Sequence, residues 1–258
     1  MNCAARPAAP VHPTARPSRL LPLLVLLLVL AACGSGKKNN NGGQVQNGRI
    51  ATPTPALSAQ DLLNAADQTT EALQSFHFVL THENGSTPIA NNISMTKADG
   101  DVLKPDRFKA TVTGTLSGFT VNAKVINVGD QVWLNLAGDK YVPLPNGVGA
   151  SAILDPNNGV LKALKGVKNP QIAGHEKLNG VDTTIVAGDV DAGDLTALAQ
   201  NAQAGKTVKG RAWIGDADHR LYRLRIDGPL NDQEPANIAR IIDLSQFNEK
   251  LDIQPPSP

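Results

Sequence analysis

Between Asp106 and Leu136 apolar and polar residues alternate with a period of two. Phe108, Ala110, Val112 and Leu116 share one parity, and Lys109, Thr111, Thr113 and Thr115 share the other. Phe119, Val121, Ala123 and Val125 repeat the pattern against Thr120, Asn122 and Lys124. After Gly129-Asp130, Val132, Leu134 and Leu136 resume it, and Gly138-Asp139 leads into Lys140-Tyr141-Val142-Pro143. Successive side chains of a strand point to opposite faces, so this period predicts strands with one dry and one wet face. Turn signals arrive roughly every ten residues, the spacing of an antiparallel meander.

The rest of the chain extends this reading. Ser75–Leu80, Val181–Ala187, Val208–Ile214, Leu221–Ile226 and Ile238–Leu244 read as further strands. A helix is predicted from Ser58 to Gln74, with Ser58 and Asp61 as a capping pair and Leu62, Ala66 and Leu73 at helical spacing. A second begins at Leu154-Asp155-Pro156, carries Leu161 and Leu164, and stops at Gly166. A third runs over Asp194–Gln203 with Leu195, Leu198 and Ala202. No linker divides the strands, so residues 57–258 form one domain. The expected class is α+β, a single strongly curved antiparallel sheet of about ten strands covered by a few helices. So many strands twist too strongly to stay flat. With more apolar face than those helices can cover, such a sheet encloses an apolar cavity.

Residues 1–32 are not part of that body. They hold Arg6, Arg16 and Arg19, no acid, and the apolar run Leu20–Leu30 before Ala31-Ala32-Cys33. A basic start, a short apolar run and small residues make a secretory signal. The run is shorter than the roughly 20 residues of a spanning helix. From Gly34 to Ala56 the chain is mainly Gly, Ser, Lys, Asn, Gln, Thr and Pro, a composition that cannot bury enough apolar area to order itself. Residues 33–56 therefore read as a tether, with a root-mean-square span of roughly 25 Å. Leu30-Ala31-Ala32-Cys33 resembles the lipobox of bacterial lipoproteins. That resemblance implies cleavage before Cys33, acylation of its thiol, and anchoring at the outer face of the cell membrane. Cys3 falls in the leader, so the mature chain has no second cysteine for a disulfide.

Several functions are disfavoured. Lys and Arg number 24 against 23 Asp and Glu, and without the three leader arginines the body is slightly acidic. Nucleic-acid binding wants the opposite balance. No His-Glu-x-x-His, Gly-x-Ser-x-Gly or phosphate-loop motif occurs, and no cofactor signature. Of the mature histidines, His77 and His82 fall on opposite faces of one strand, and His175 and His219 read as turn or surface residues. Asp189, Asp191 and Asp194 suit helix capping as well as calcium, without the order of an EF-hand. Trp213 is out of phase with Ala212 and Ile214 and is either packed under a helix or placed at a portal. Arg211, Arg223 and Arg225 read as a solvated face or as partners of an anionic head group.

A series of short motifs resembles the bacterial lipoprotein family of LppX, LprA, LprF and LprG. In order they are Gln74-Ser75-Phe76-His77-Phe78, Gly100-Asp101-Val102, Pro105-Asp106-Arg107-Phe108, Leu154-Asp155-Pro156 and Gly159-Val160-Leu161-Lys162-Ala163-Leu164. Gly180-Val181-Asp182-Thr183-Thr184, Ala212-Trp213-Ile214, Arg223-Leu224-Arg225-Ile226-Asp227-Gly228, Ser245-Gln246-Phe247-Asn248 and Ile253-Gln254-Pro255-Pro256 follow. One departure is visible. The family tends to carry an acid directly after Trp-Ile, where this chain has Gly215 and then Asp216. The resemblance implies a half-barrel related to the LolA and LolB carriers, holding the acyl chains of a lipid or glycolipid. It also implies an export or transport partner in the envelope. The dry-face positions expected to line the cavity are Leu80, Val112, Leu116, Val121, Val125, Leu134, Ile185, Ile214, Leu224 and Ile226. The alternative reading is a protein-binding module, a lipoprotein chaperone or envelope sensor, on the same fold.

Overall fold

A computed structural model describes residues 57–90, 93–136, 138, 140–144, 162–199 and 201–257. The leader, Cys33, the tether and the expected helix start at Asp155 lie outside these residues.

The first helix, α1, spans Ala59–Glu71. Its start follows from two side chains. Ser58 Oγ accepts from the Asp61 amide at 3.1 Å, and the Asp61 carboxylate accepts from the Ser58 amide at 3.3 Å. This reciprocal box satisfies two donors that the first turn would otherwise leave open. At the other end Lys104 Nζ donates to the carbonyls of Thr70 and Glu71. Leu62, Leu63 and Ala66 form the buried stripe.

The strands are β1 (Ser75–Glu83), β2 (Thr87–Ala90), β3 (Ile93–Leu103), β4 (Arg107–Leu116), β5 (Phe119–Val128), β6 (Gln131–Asn135) and β7 (Val142–Pro143). After a single turn of helix, α2 (Lys162–Lys165), come β8 (Lys168–Leu178), β9 (Val181–Asp191), β10 (Thr207–Gly215), β11 (Leu221–Asp227) and β12 (Ala239–Ser245). All join one twelve-stranded sheet in the order β7-β6-β5-β4-β3-β1-β12-β11-β10-β9-β8, with β2 beside β3. Every pairing is antiparallel. The sheet is open, since β7 and β8 have no pairing with each other among the described residues.

Two features depart from the expectation. Residues 194–199 and 201–203 do not form an α-helix. They begin with a 3-10 turn at Ala192–Leu195, capped by Asp191. The Asp191 carboxylate accepts from Gly193 N at 2.8 Å and from Gly205 N at 2.9 Å. Ala192 N and Gln203 N are further held by the carbonyls of Lys206 and Leu230. A segment pinned this way closes as successive turns. The second feature is β8, a strand with no apolar alternation, paired with β9 through Asn179-Gly180. Both turn residues have positive φ, 50° and 88°, the signature of a two-residue hairpin.

The Gly215 departure also has a structural reason. A Cβ there would lie 2.3 Å from Asp218 Oδ1 and 2.8 Å from the Tyr222 ring. Asp218 accepts from Tyr222 Oη at 2.9 Å and from Arg220 N at 3.1 Å, so the hairpin wraps tightly around a residue with no side chain.

Candidate functional site

Cross-strand pairing assigns each side chain to a face. Phe78 lies opposite Gly100, Gly100 opposite Ala110, Ala110 opposite Val125, and Val125 opposite Leu134. In the other direction Leu80 faces Ile242, Ile242 faces Leu224, Leu224 faces Ala212, and Ala212 faces Val186. These residues define one continuous apolar face. α1 lies on it over β8–β11.

The two halves of this face differ. Under α1 it is made of large, sealed side chains, with Ile214 and Ile226 at 0% exposure. Across β3–β5 it is built from small ones: Ala98 and Gly100, Ala110 and Gly114, and Ala123. Between them stand Val112, Val121 and Val125, all half-buried, and Leu116 and Leu134 are also half-buried. Half-burial at these five positions marks an apolar lane, only partly covered, beside a sealed core.

Of the candidate residues, Leu80, Ile214, Leu224 and Ile226 belong to the buried core. Val112, Leu116, Val121, Val125 and Leu134 lie along the lane. Ile185 is a correction: it pairs with Trp213 and so lies on the opposite, outer face. On β9 both parities carry buried residues, Thr183 and Val186 among them, so alternation alone did not decide which side faces the helix.

Around Trp213 the outer face carries paired charges. Trp213 is buried there and not under a helix. Its Nε1 donates to Glu176 at 2.7 Å, and the guanidinium groups of Arg211 and Arg223 lie 5.9 and 5.8 Å from its ring. Arg211 pairs with Asp227, Arg223 with Asp243, and Arg225 with both Glu83 and Asp227. The hydrogen bond from Arg225 holds the Glu83 carboxyl below its usual range. Asp189 is paired with Lys209, and no cluster of three or more potential metal ligands exists among the described residues.

Two clefts are lined mainly by polar residues, the second also by Gly100, Ala110 and Val125. One, of about 300 Å³, is lined by His175, Glu176, Lys177, Asp182, Thr183 and Asp216. The other, of about 260 Å³, includes His77, Asp99, Asp101, Lys109 and Tyr141. His77 Nδ1 is 2.8 Å from Asp101. Burial works against ionisation of Asp101, yet the hydrogen bonds from His77 and Lys109 outweigh it and lower its pKa.

On the inner face near one end of the sheet, a polar group is buried whole. Arg240 has 0% exposure, pairs with Glu234, and donates from Nε to Thr87 Oγ1 at 3.3 Å. Thr87 Oγ1 is 2.8 Å from His82 Nε2, and His82 Nδ1 is 3.0 Å from the Thr96 carbonyl. This geometry suits a neutral imidazole protonated at Nδ1. Burial, with the charge of Arg240 adding to it, pushes the His82 pKa down. Sequence patterning gave no sign of this cluster, because its members come from distant segments.

Known proteins resemble this chain in sequence and in fold. The lipoarabinomannan carrier protein LprG of Mycobacterium tuberculosis is 25% identical over 232 residues, covering 88% of this chain and 89% of LprG. The crystal structure of LprF from Mycobacterium bovis superposes with a TM-score of 0.60 at 23% identity, covering 78% of this chain and 97% of LprF. That of the Mycobacterium tuberculosis lipoprotein LppX gives 0.56 at 25% identity, over 76% and 98% of the two chains. The family model of the LppX_LprAFG lipoproteins matches residues 58–253, from the cap of α1 to the tail after β12. With its whole sheet inside that match, the chain belongs to the LppX_LprAFG lipoprotein family.

Proposed function

We propose that this protein is a non-catalytic envelope lipoprotein that carries or presents a lipid or glycolipid, holding its acyl chains against the lane of β3–β6. The observation that carries the reading is the contrast within one apolar face, sealed under α1 and half-covered at Val112, Leu116, Val121, Val125 and Leu134 beside it. LprG, a relative along nearly its full length, is named as a carrier of a lipoglycan, which supports the same class of cargo here. Acyl chains need no specific partner there, since each buried methylene contributes about 0.8 kcal/mol. Cys33 would hold the body at the outer face of the cell membrane through its own acyl group.

Parity supplies the test. Val125 faces the lane, and its neighbour Lys124 faces out. Val125→Trp should weaken binding of a fluorescent long-chain fatty acid by about tenfold or more, the scale of one filled apolar site. Lys124→Trp should leave binding unchanged, and both variants should unfold at the parent temperature. Equal affinities in all three proteins would remove the lane from the binding site. No binding by the parent would favour a protein-binding module.

A further inference from the structure

The β4–β5 hairpin ends in an aromatic residue that the core does not use. Phe119 is 77% exposed, directly after a tight turn in which Ser117 and Gly118 have φ of 50° and 89°. It pairs with Leu116 on the inner face, beside the outer end of the lane. The segments that flank it carry no charge. From Ala110 to Ala123 the sequence holds no Asp, Glu, Lys or Arg, and Gly85 to Thr96 holds none either. Those segments adjoin, since β3 pairs with β4. Charge returns on the outer face at Lys97, Lys109 and Lys124, of which Lys97 and Lys109 are paired with Asp99 and Asp101.

The outer face of the same tip carries Thr113, Thr115, Thr120 and Asn122, so the hairpin is amphipathic without being charged. Measured from the Thr111–Lys124 pair to the turn, it reaches about 20 Å at ~3.4 Å per residue. That is enough to cross a head-group layer and enter the acyl boundary, where aromatic side chains are favoured. Water exacts a cost for a phenylalanine held at the tip of a turn, and a bilayer removes it.

We propose that this hairpin tip docks on a phospholipid bilayer, with Phe119 and Leu116 entering its interface. The lane then opens directly onto the membrane, and an acyl chain passes from bilayer to protein without crossing water. The transfer step rests on the carrier reading above; the docking step does not.

The full acylated chain in phospholipid vesicles provides the experiment. Phe119→Trp should add an indole that is strongly quenched by lipids brominated along their acyl chains, beyond the background of Trp133 and Trp213 in the parent. Lys177→Trp, on the β8–β9 hairpin, should add one that is not. Equal quenching at both positions, or none at position 119, overturns the docking. Phe119→Asp should slow lipid uptake from vesicles by roughly tenfold, the scale of one buried aromatic side chain, while binding of a soluble fluorescent fatty acid is retained. Undiminished uptake from vesicles overturns the transfer step. If the parent binds no soluble fatty acid, the carrier reading fails, and the quenching comparison still decides the docking.

Discussion

Arg240 stands on an apolar face, opposite His82 on one side and Ile226 on the other, without exposed surface. Its charge is met by Glu234, which also accepts from Leu230 N at 2.8 Å. Removing one member of a buried ion pair strands the other, so Arg240→Met should cost about 3–5 kcal/mol in urea unfolding. Arg240→Met combined with Glu234→Gln should recover part of that loss. His82 makes this cluster sensitive to pH. Its pKa in the folded protein lies below the ordinary 6.5, so the unfolded chain takes up a proton first as the pH falls. Stability therefore falls as the pH drops from about 6.5 toward the folded pKa, and levels off below that. Thermal midpoints measured from pH 7.5 to 5 should decline over this window, and His82→Gln should flatten the decline.

Among the elements, α1 is the only described helix of more than one turn, and it covers the apolar face over β8–β11. Leu63, at 1% exposure, is its centre, and Leu63→Ala should destabilise by about 2–5 kcal/mol. Ser58→Ala should cost only ~1 kcal/mol, because it removes a cap and leaves the packing. Calorimetry on the two variants separates these contributions. The elements that sequence could place are those whose pattern is local. The Ser58–Asp61 pair marks the start of α1, and strict alternation marks β4 and β5. Edge strand β8 escaped because a strand paired on one side and open to water on the other needs no apolar alternation. Its only signal was the Asn179-Gly180 turn. The helix expected at 194–203 failed because Asp191, a residue outside it, binds Gly205 across the turn. The lane was legible as a row of valines, but their shared face with Leu134 follows only once registers are known. Arg240 and Phe119 were not legible at all, since one depends on a distant acid and the other on being left uncovered.

Across the described residues, the sheet has a sealed part, a half-covered part and two end strands. One edge is β7, two residues long and closed by Pro143, and the other is β8, interrupted by register shifts and carrying Lys168 and Lys177. Short, bulged or lysine-bearing edges resist pairing with another sheet. The centre is built differently. β1 and β12, the first strand and the last, lie side by side from His77–Ser245 to Glu83–Ala239. The tail beyond β12 fastens back on the same region, where Ser75 Oγ donates to the Glu249 carbonyl and Arg107 to that of Ile253. A chain emerging from its amino terminus must therefore keep one edge of β1 waiting until β12 is available. The early strands can form their meander, but the seam that makes one sheet of two halves closes last. Such long-range closure is slow, and a chain cut before Ala239 would present β1 as a bare edge, ready to pair with whatever strand came first.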